Sequence, residues 1–171
     1  MLRGLRSFVG RHLDGAILSV LAFVAAGYAV SLFKPAPAVA DQAVDDLKKT
    51  ALSDLAIEDR LVAVEGLRRK GGTSALDALK DVAKEGDLPV AAAACAALGR
   101  AKSSGSKDRL KALLETSALR KEVRITAGGA IAWHWKDADD EDYLQEKMDD
   151  NGEMESHFQA LKTAVFDKEG E

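Results

Sequence analysis

VAAAACAAL, residues 90–98, decides the fold, because related stretches lie on both sides of it. The earlier copy, DRLVAVEGL, occupies residues 59–67, and the later copy, VRITAGGAI, occupies residues 123–131. Each copy places a small residue four positions before an aliphatic one, on one face of a helix and one turn apart. The pairs are Ala63 with Leu67, Ala94 with Leu98, and Ala127 with Ile131. This order predicts helices that pack closely.

A second apolar helical pattern follows each copy, which makes the repeating unit a helix-turn-helix. Gly71-Gly72 and the serine-rich stretch 103–106 mark turns inside units, and Pro89 opens the helix that follows Gly86. Aromatic residues make up 5% of the chain, and alanine and leucine dominate its apolar positions, as in closely packed helices. We therefore expect an all-α fold, a short α-solenoid of about three units.

Two further helical patterns flank these units. Apolar residues from Val44 to Leu55 fall on one helical face, and residues 153–166 show the same spacing from Met154 to Phe166. We interpret both as caps of a single repeat domain spanning residues 42–171.

The N-terminal part has a different composition. Residues 16–33 contain no charge and would form a helix of about 27 Å, close to the thickness of a bilayer core. The preceding residues 1–15 carry three arginines, which predicts a cytoplasmic N-terminus by the positive-inside rule. Residues 34–41 contain two prolines and form a predicted Pro/Ala linker. We expect a single transmembrane helix in a bacterial inner membrane, with the repeat domain in the periplasm.

The alternative for this segment is a cleavable signal peptide. Ala38-Val39-Ala40 has the small-x-small spacing that signal peptidases accept, and cleavage would leave a free protein beginning at Asp41. The apolar run 16–33 is longer than the apolar core of an ordinary signal peptide, which favours retention. Either outcome predicts an exported domain.

The best-defined unit resembles the HEAT-like repeats of the family that includes phycobilisome lyases. In that pattern an aspartate or proline precedes Val-Arg, and the helix ends in Ala-Leu-Gly. Pro89-Val90, Ala94 and Ala97-Leu98-Gly99 fit it, and Val123-Arg124 matches its beginning. The resemblance covers residues 57 to about 148. It implies a binding scaffold rather than an activity, because fold likeness does not carry function.

The sequence offers little catalytic chemistry. It contains no GxSxG, HExxH, P-loop or GxGxxG pattern, and Cys95 is the only cysteine. His134 is interpreted as packed at a helix end, and the acidic run 137–142 lacks the glycine and glutamate that a calcium loop requires. We therefore expect no enzyme activity, no catalytic residue, no cofactor and no metal.

Candidate partner-binding residues gather at the turns inside the units. Basic residues follow the first helix of each of the first two units, and two tryptophans end that of the third unit. These candidates are Arg68, Arg69, Lys70, Arg100, Lys102, Trp133 and Trp135. Stacked repeats would bring the basic turns to one edge, where an acidic protein or anionic lipid could bind. The acidic residues 137–171, with 13 Asp+Glu against 3 Lys+Arg, make a nucleic-acid partner unfavourable.

These patterns predict a non-catalytic, membrane-anchored repeat protein that binds other subunits of a larger membrane or periplasmic complex. One alternative is a lyase-like enzyme that handles a chromophore or other substrate on the solenoid. The other is the signal-cleaved, free periplasmic binding module.

Overall fold

The computed structural model describes residues 43–135, 137–149 and 154–166, and these residues form helices joined by short turns. The helices are α1 (Val44–Ala51), α2 (Ile57–Lys70), α3 (Gly72–Glu85), α4 (Leu88–Ala101), α5 (Ser104–Glu115), α6 (Lys121–Trp135), α7 (Ala138–Asp149) and α8 (Glu155–Leu161). A π-helical turn, Lys162–Phe166, continues α8. The described residues are thus consistent with the all-α prediction.

The helices form two layers. The first helices of the three units, α2, α4 and α6, pack side by side in one layer, and α1, α3 and α5 pack side by side in the other. Each unit is a helix pair, α2 with α3, α4 with α5 and α6 with α7, and α1 contacts both α2 and α3. This is the stacked arrangement of a helical solenoid.

Local sequence signals set the helix starts. Asp87 caps α4 by accepting a hydrogen bond from the backbone N–H of Val90, and Pro89 stands in the first turn, where its missing N–H has no helical partner to lose. Ser103 and Ser106 form a reciprocal capping box at α5, each side chain bonding the other residue's backbone N–H. The serine-rich stretch is therefore both a turn and a cap.

Equivalent arginines tie the units end to end. Arg60 donates from Nε to the carbonyl oxygen of Ala51 at 3.2 Å, and Arg124 donates from Nε to that of Leu114 at 2.8 Å. Both arginines precede the small residue of their repeat by three positions, and each carbonyl belongs to the last turn of the preceding helix. A cation at this end also complements the helix dipole. Arg124 of the Val123-Arg124 motif thus has a structural role here, and Arg60, which follows Asp59, has the same role at the end of α1.

The core is continuous through all units and is built mainly from alanine and leucine. In α4 every residue from Val90 to Gly99 except Ala96 is buried, because this helix is surrounded by α2, α3, α5 and α6. Cys95 is fully buried there, and burial raises the pKa of its thiol to about 12. In this environment Cys95 is a small core residue rather than a reactive thiol.

The two caps differ from each other. At the N-terminal end, α1 buries Leu47 and Ala51, but Leu55 lies beyond the helix and is 54% exposed. At the C-terminal end, Phe158 is fully buried where α8 meets α6 and α7. The predicted C-terminal helix over residues 153–166 is in fact a short α-helix followed by a π-turn.

The predicted membrane helix, residues 16–33, lies outside the described residues, as do residues 1–15 and the linker 34–41. Among the helices of the described ranges, none combines the length and the apolar character that crossing a bilayer requires.

Candidate functional site

One edge of the solenoid collects the turns at which each first helix ends and each second helix begins. We call this the turn edge and define it as residues 68–73, 100–107, 133–135 and 137–142. Ion pairs between neighbouring units hold this edge together. Arg100 of the second unit pairs with Glu65 of the first, and Lys107 at the start of α5 pairs with Asp140 at the start of α7. All seven candidate partner-binding residues of the sequence lie on this edge.

Three of these candidates converge on one buried carboxylate. Glu65 is 4% exposed, and its oxygens accept hydrogen bonds from Arg68 at 2.7 Å, Arg69 at 3.2 Å and Arg100 at 3.3 Å. Burial alone would raise the pKa of Glu65, but the hydrogen bonds and charges of the three arginines outweigh it and lower the pKa. Three cations around one anion leave this part of the edge with positive charge.

The repeat register places Arg69, Arg100 and Trp133 at equivalent positions. Their spacing along the chain equals the offsets that separate the three repeat copies, and each occupies the last turn of a first helix. The Arg69 side chain is 47% exposed and Trp133 is 43% exposed, whereas Arg100 is largely covered. Two guanidinium groups and one indole therefore form a row across the turn edge.

His134 joins the second and third units. Its ring lies directly against the backbone of Gly99, so close that a β-carbon at that position would clash with His134 Cδ2. The ring also meets Trp135 edge-on, with centroids 6.4 Å apart. Burial and, less strongly, the charges of Lys102 and Arg100 lower the pKa of His134. The interpretation of His134 as a packed residue at the helix end fits this geometry.

The acidic side of the turn edge contains an ion pair that the sequence did not indicate. Asp140 is fully buried, and Lys107 Nζ lies 2.6 Å from its Oδ2. Lys107 is also 3.5 Å from Asp137 and 5.8 Å from the centre of the Trp135 ring. Burial and the neighbouring Asp137 raise the pKa of Asp140, although Lys107 opposes them. Within the acidic run 137–142, Asp140 is thus a buried carboxylate that fastens α7 to α5.

The repeats that build this edge match a known family. The pattern of the family described as HEAT repeats matches residues 44–132, more than half of the chain. The chain belongs to the HEAT-repeat family. No curated protein and no solved structure matches it. As a HEAT-repeat protein it has the helix-pair units that the fold displays, and such repeats generally mediate protein–protein interaction. The finer resemblance to phycobilisome lyases is not shown by this match.

Outside the turn edge, the described ranges of the HEAT repeats offer few features that could bind a ligand. These residues contain no group of three or more His, Cys, Asp and Glu side chains placed to hold a metal ion. Two open grooves lie beside α1, one of them lined by Asp45, Lys48, Asp77 and Asp81. The turn edge is therefore the strongest candidate for function.

Glu65 is a further residue of the candidate site that sequence reasoning missed. The other two repeats have Ala96 and Gly129 at its position, so a glutamate there departs from the small-residue pattern. Its arginine partners at i+3 and i+4 were visible in the sequence, and both were read as partner-binding cations. A charged residue at a small, inward position, followed one turn later by opposite charges, was the signal that could have found it.

Proposed function

We propose that this HEAT-repeat protein is a membrane-anchored adaptor that uses its turn edge to bind a protein subunit of a larger membrane or periplasmic complex. The observation that supports this most directly is the row of Arg69, Arg100 and Trp133. Tryptophan and arginine are the residue types that dominate binding energy at protein interfaces. Here they are held at fixed positions on three successive repeats.

Preorganisation strengthens this proposal. Arg100 and Arg69 are held by the same carboxylate, and Trp133 sits on a helix whose end is packed against Gly99 through His134. A partner would therefore meet side chains that have already lost part of their conformational entropy, which reduces the cost of binding. A rigid solenoid edge suits recognition of a preformed surface.

The membrane anchor is part of the proposal and is supported by the sequence. The uncharged segment 16–33, which follows three arginines, would place the N-terminus in the cytoplasm and the repeats in the periplasm of a bacterium. Tethering would raise the effective concentration of the turn edge near a membrane complex. Cleavage after Ala40 would leave the same edge on a free periplasmic protein.

The first experiment is purification from native membranes in mild detergent through a C-terminal tag, with identification of co-purifying proteins and the intact mass of the tagged chain. We expect stoichiometric partner subunits and a mass that includes residues 1–40. The double variant Arg69→Ala/Trp133→Ala should lose at least about 90% of the partner, since each such residue can contribute about 2 kcal/mol.

Lys49→Ala/Lys84→Ala provides the matched control, because both lysines are exposed and lie near the ends of α1 and α3, at the edge opposite the turn edge. Equal partner recovery from the two double variants would reject the turn edge as the binding surface. A monodisperse protein that co-purifies with nothing would reject the adaptor proposal, and a mass beginning at Asp41 would reject the anchor.

A further inference from the structure

The turn edge changes sign along its length. Its first two repeats present the exposed cations Arg69, Lys70 and Lys102, and its third repeat presents the exposed carboxylates Asp137, Asp139 and Asp142. Trp133 lies between the two groups in chain order and is 43% exposed. We call these the basic half and the acidic half of the turn edge. A surface with this order of charges is complementary to the same surface of a second copy that runs antiparallel to it.

Inside one chain the charges of the turn edge neutralise each other only in part. Lys107 forms an ion pair with the buried Asp140 and a longer one with Asp137. In the described ranges, Lys70, Lys102, Asp139 and Asp142 form no ion pair within 4.0 Å. Their charges therefore remain in solvent, available to a facing surface.

We propose that two copies of this chain associate through their turn edges in a twofold, antiparallel arrangement. The basic half of one copy then faces the acidic half of the other, and the reverse contact forms by symmetry. A twofold interface requires a surface that complements itself, and the charge order of this edge meets that requirement. The two Trp133 side chains would lie near the centre, where water is excluded first and an aromatic anchor contributes most.

The expected association is weak and sensitive to salt. Exposed ion pairs each contribute little, and charges in solvent are screened over about 8 Å at physiological ionic strength. An edge of three repeats is also small for an interface, which points to a transient dimer. The same surface is proposed above to bind a subunit, so the dimer would compete with that partner; the dimer itself does not depend on the adaptor role.

The decisive experiment is charge reversal with complementation, measured by sedimentation velocity of the full chain in non-ionic detergent, from about 1 to 200 µM protein. One variant reverses the basic half, Arg69→Glu/Lys102→Glu, and the other reverses the acidic half, Asp139→Lys/Asp142→Lys. Lys49→Glu/Lys84→Glu is the matched control, with the same charge change as the first variant at the opposite edge.

We expect the wild-type chain and the control to dimerise at low salt and to dissociate at about 0.5 M NaCl, where screening is strong. Each reversed variant alone should raise the dissociation constant at least about 10-fold, because like charges then face each other. An equimolar mixture of the two variants should dimerise again, since a heterodimer restores opposite charges in both contacts.

The proposal is overturned if the wild-type chain stays monomeric at the highest concentration in low salt, or if the mixture fails to recover the dimer. A dimer that the basic-half variant leaves unchanged would overturn it as well, and would show that another segment, such as the apolar N-terminal residues, drives association. None of these outcomes affects the adaptor proposal, which is judged by co-purified subunits rather than by the mass of the pure chain.

Discussion

At the scale of single residues, the turn edge depends on buried groups that never meet a partner. Glu65 fixes arginines from two repeats, and the Gly99 backbone accommodates the His134 ring from the next repeat. Neither residue is exposed, and each acts by positioning side chains of the turn edge. Substitutions at these sites should therefore change stability and edge geometry together.

Glu65→Gln should lower the free energy of unfolding by about 1–3 kcal/mol at pH 7, because hydrogen bonds to a charged group are lost in a buried site. The folded-state pKa of Glu65 lies below its ordinary value. The stabilisation is therefore present above the ordinary glutamate pKa and fades as pH falls toward the lower folded value.

Urea denaturation of both proteins from pH 7 to pH 3 checks this, and the difference between them should shrink below about pH 4. Glu85→Gln, at an exposed glutamate, serves as control and should stay within about 0.5 kcal/mol of wild type. A difference that grows on acidification would contradict the assigned role.

Gly99→Ala should destabilise the fold by about 1–3 kcal/mol, although alanine is the better helix former. The new methyl group would clash with His134 Cδ2, and the ring would have to leave its place beside Trp135. Gly129→Ala is the matched substitution in a helix interior, where the new β-carbon meets Leu161 at an ordinary 3.7 Å.

Thermal unfolding should show opposite shifts, downward for Gly99→Ala and slightly upward for Gly129→Ala. In a Gly99→Ala/His134→Ala double variant the two effects should not add, because removing the ring removes the clash. Additive losses would mean that the close approach at Gly99 is not the cause.

At the scale of elements, each helix depends on neighbouring helices to bury its apolar surface. The amphipathic helices α3 and α5 are each covered by the first-layer helices and by neighbours in their own layer, and α4 is apolar on nearly every side. The last unit has no following repeat in the described ranges, so α8 and its π-turn take that place through Met154, Phe158 and Val165. A terminal cap of this kind keeps the final repeat from exposing its core.

Phe158→Ala should cost about 3–5 kcal/mol, the usual range for a fully buried phenylalanine, and should loosen α6 and α7 more than α2. Hydrogen exchange followed by mass spectrometry would locate the change along the chain. Gln159→Ala, at an exposed neighbour on the same helix, should leave exchange unaltered. Uniform loss of protection across all repeats would instead indicate one fully cooperative unit.

At the scale of the whole molecule, polar contacts across the second-helix layer set the register between units. Lys48 pairs with Asp81 at 2.6 Å, and Asp77 pairs with Arg109 at 2.9 Å, linking α1, α3 and α5 in succession. Tyr143 continues the series by donating to Glu115 at 3.1 Å. Each pair is partly exposed and contributes little alone. Together they orient the stack, and the stack orients the turn edge on which both proposals rest.

The amino-acid sequence by itself determined the fold class, the positions of the helix pairs and the presence of cationic turns. It could do so because small-then-aliphatic spacing, proline and glycine act locally, on the stretch of backbone that they shape. The matched HEAT-repeat pattern covers residues 44–132, which include all three copies of this spacing. The predicted membrane helix, also a local pattern, stays a prediction.

Only the tertiary structure decided which charges are paired inside the molecule and which remain exposed. Arg100 and Glu65 belong to different repeats, as do Lys107 and Asp140, so no local pattern pairs them. The sequence marked Arg68 as a partner-binding cation, whereas the fold gives it an intramolecular carboxylate. Burial of a charge depends on what the stacked repeats bring over it, and that is a property of the assembled solenoid alone.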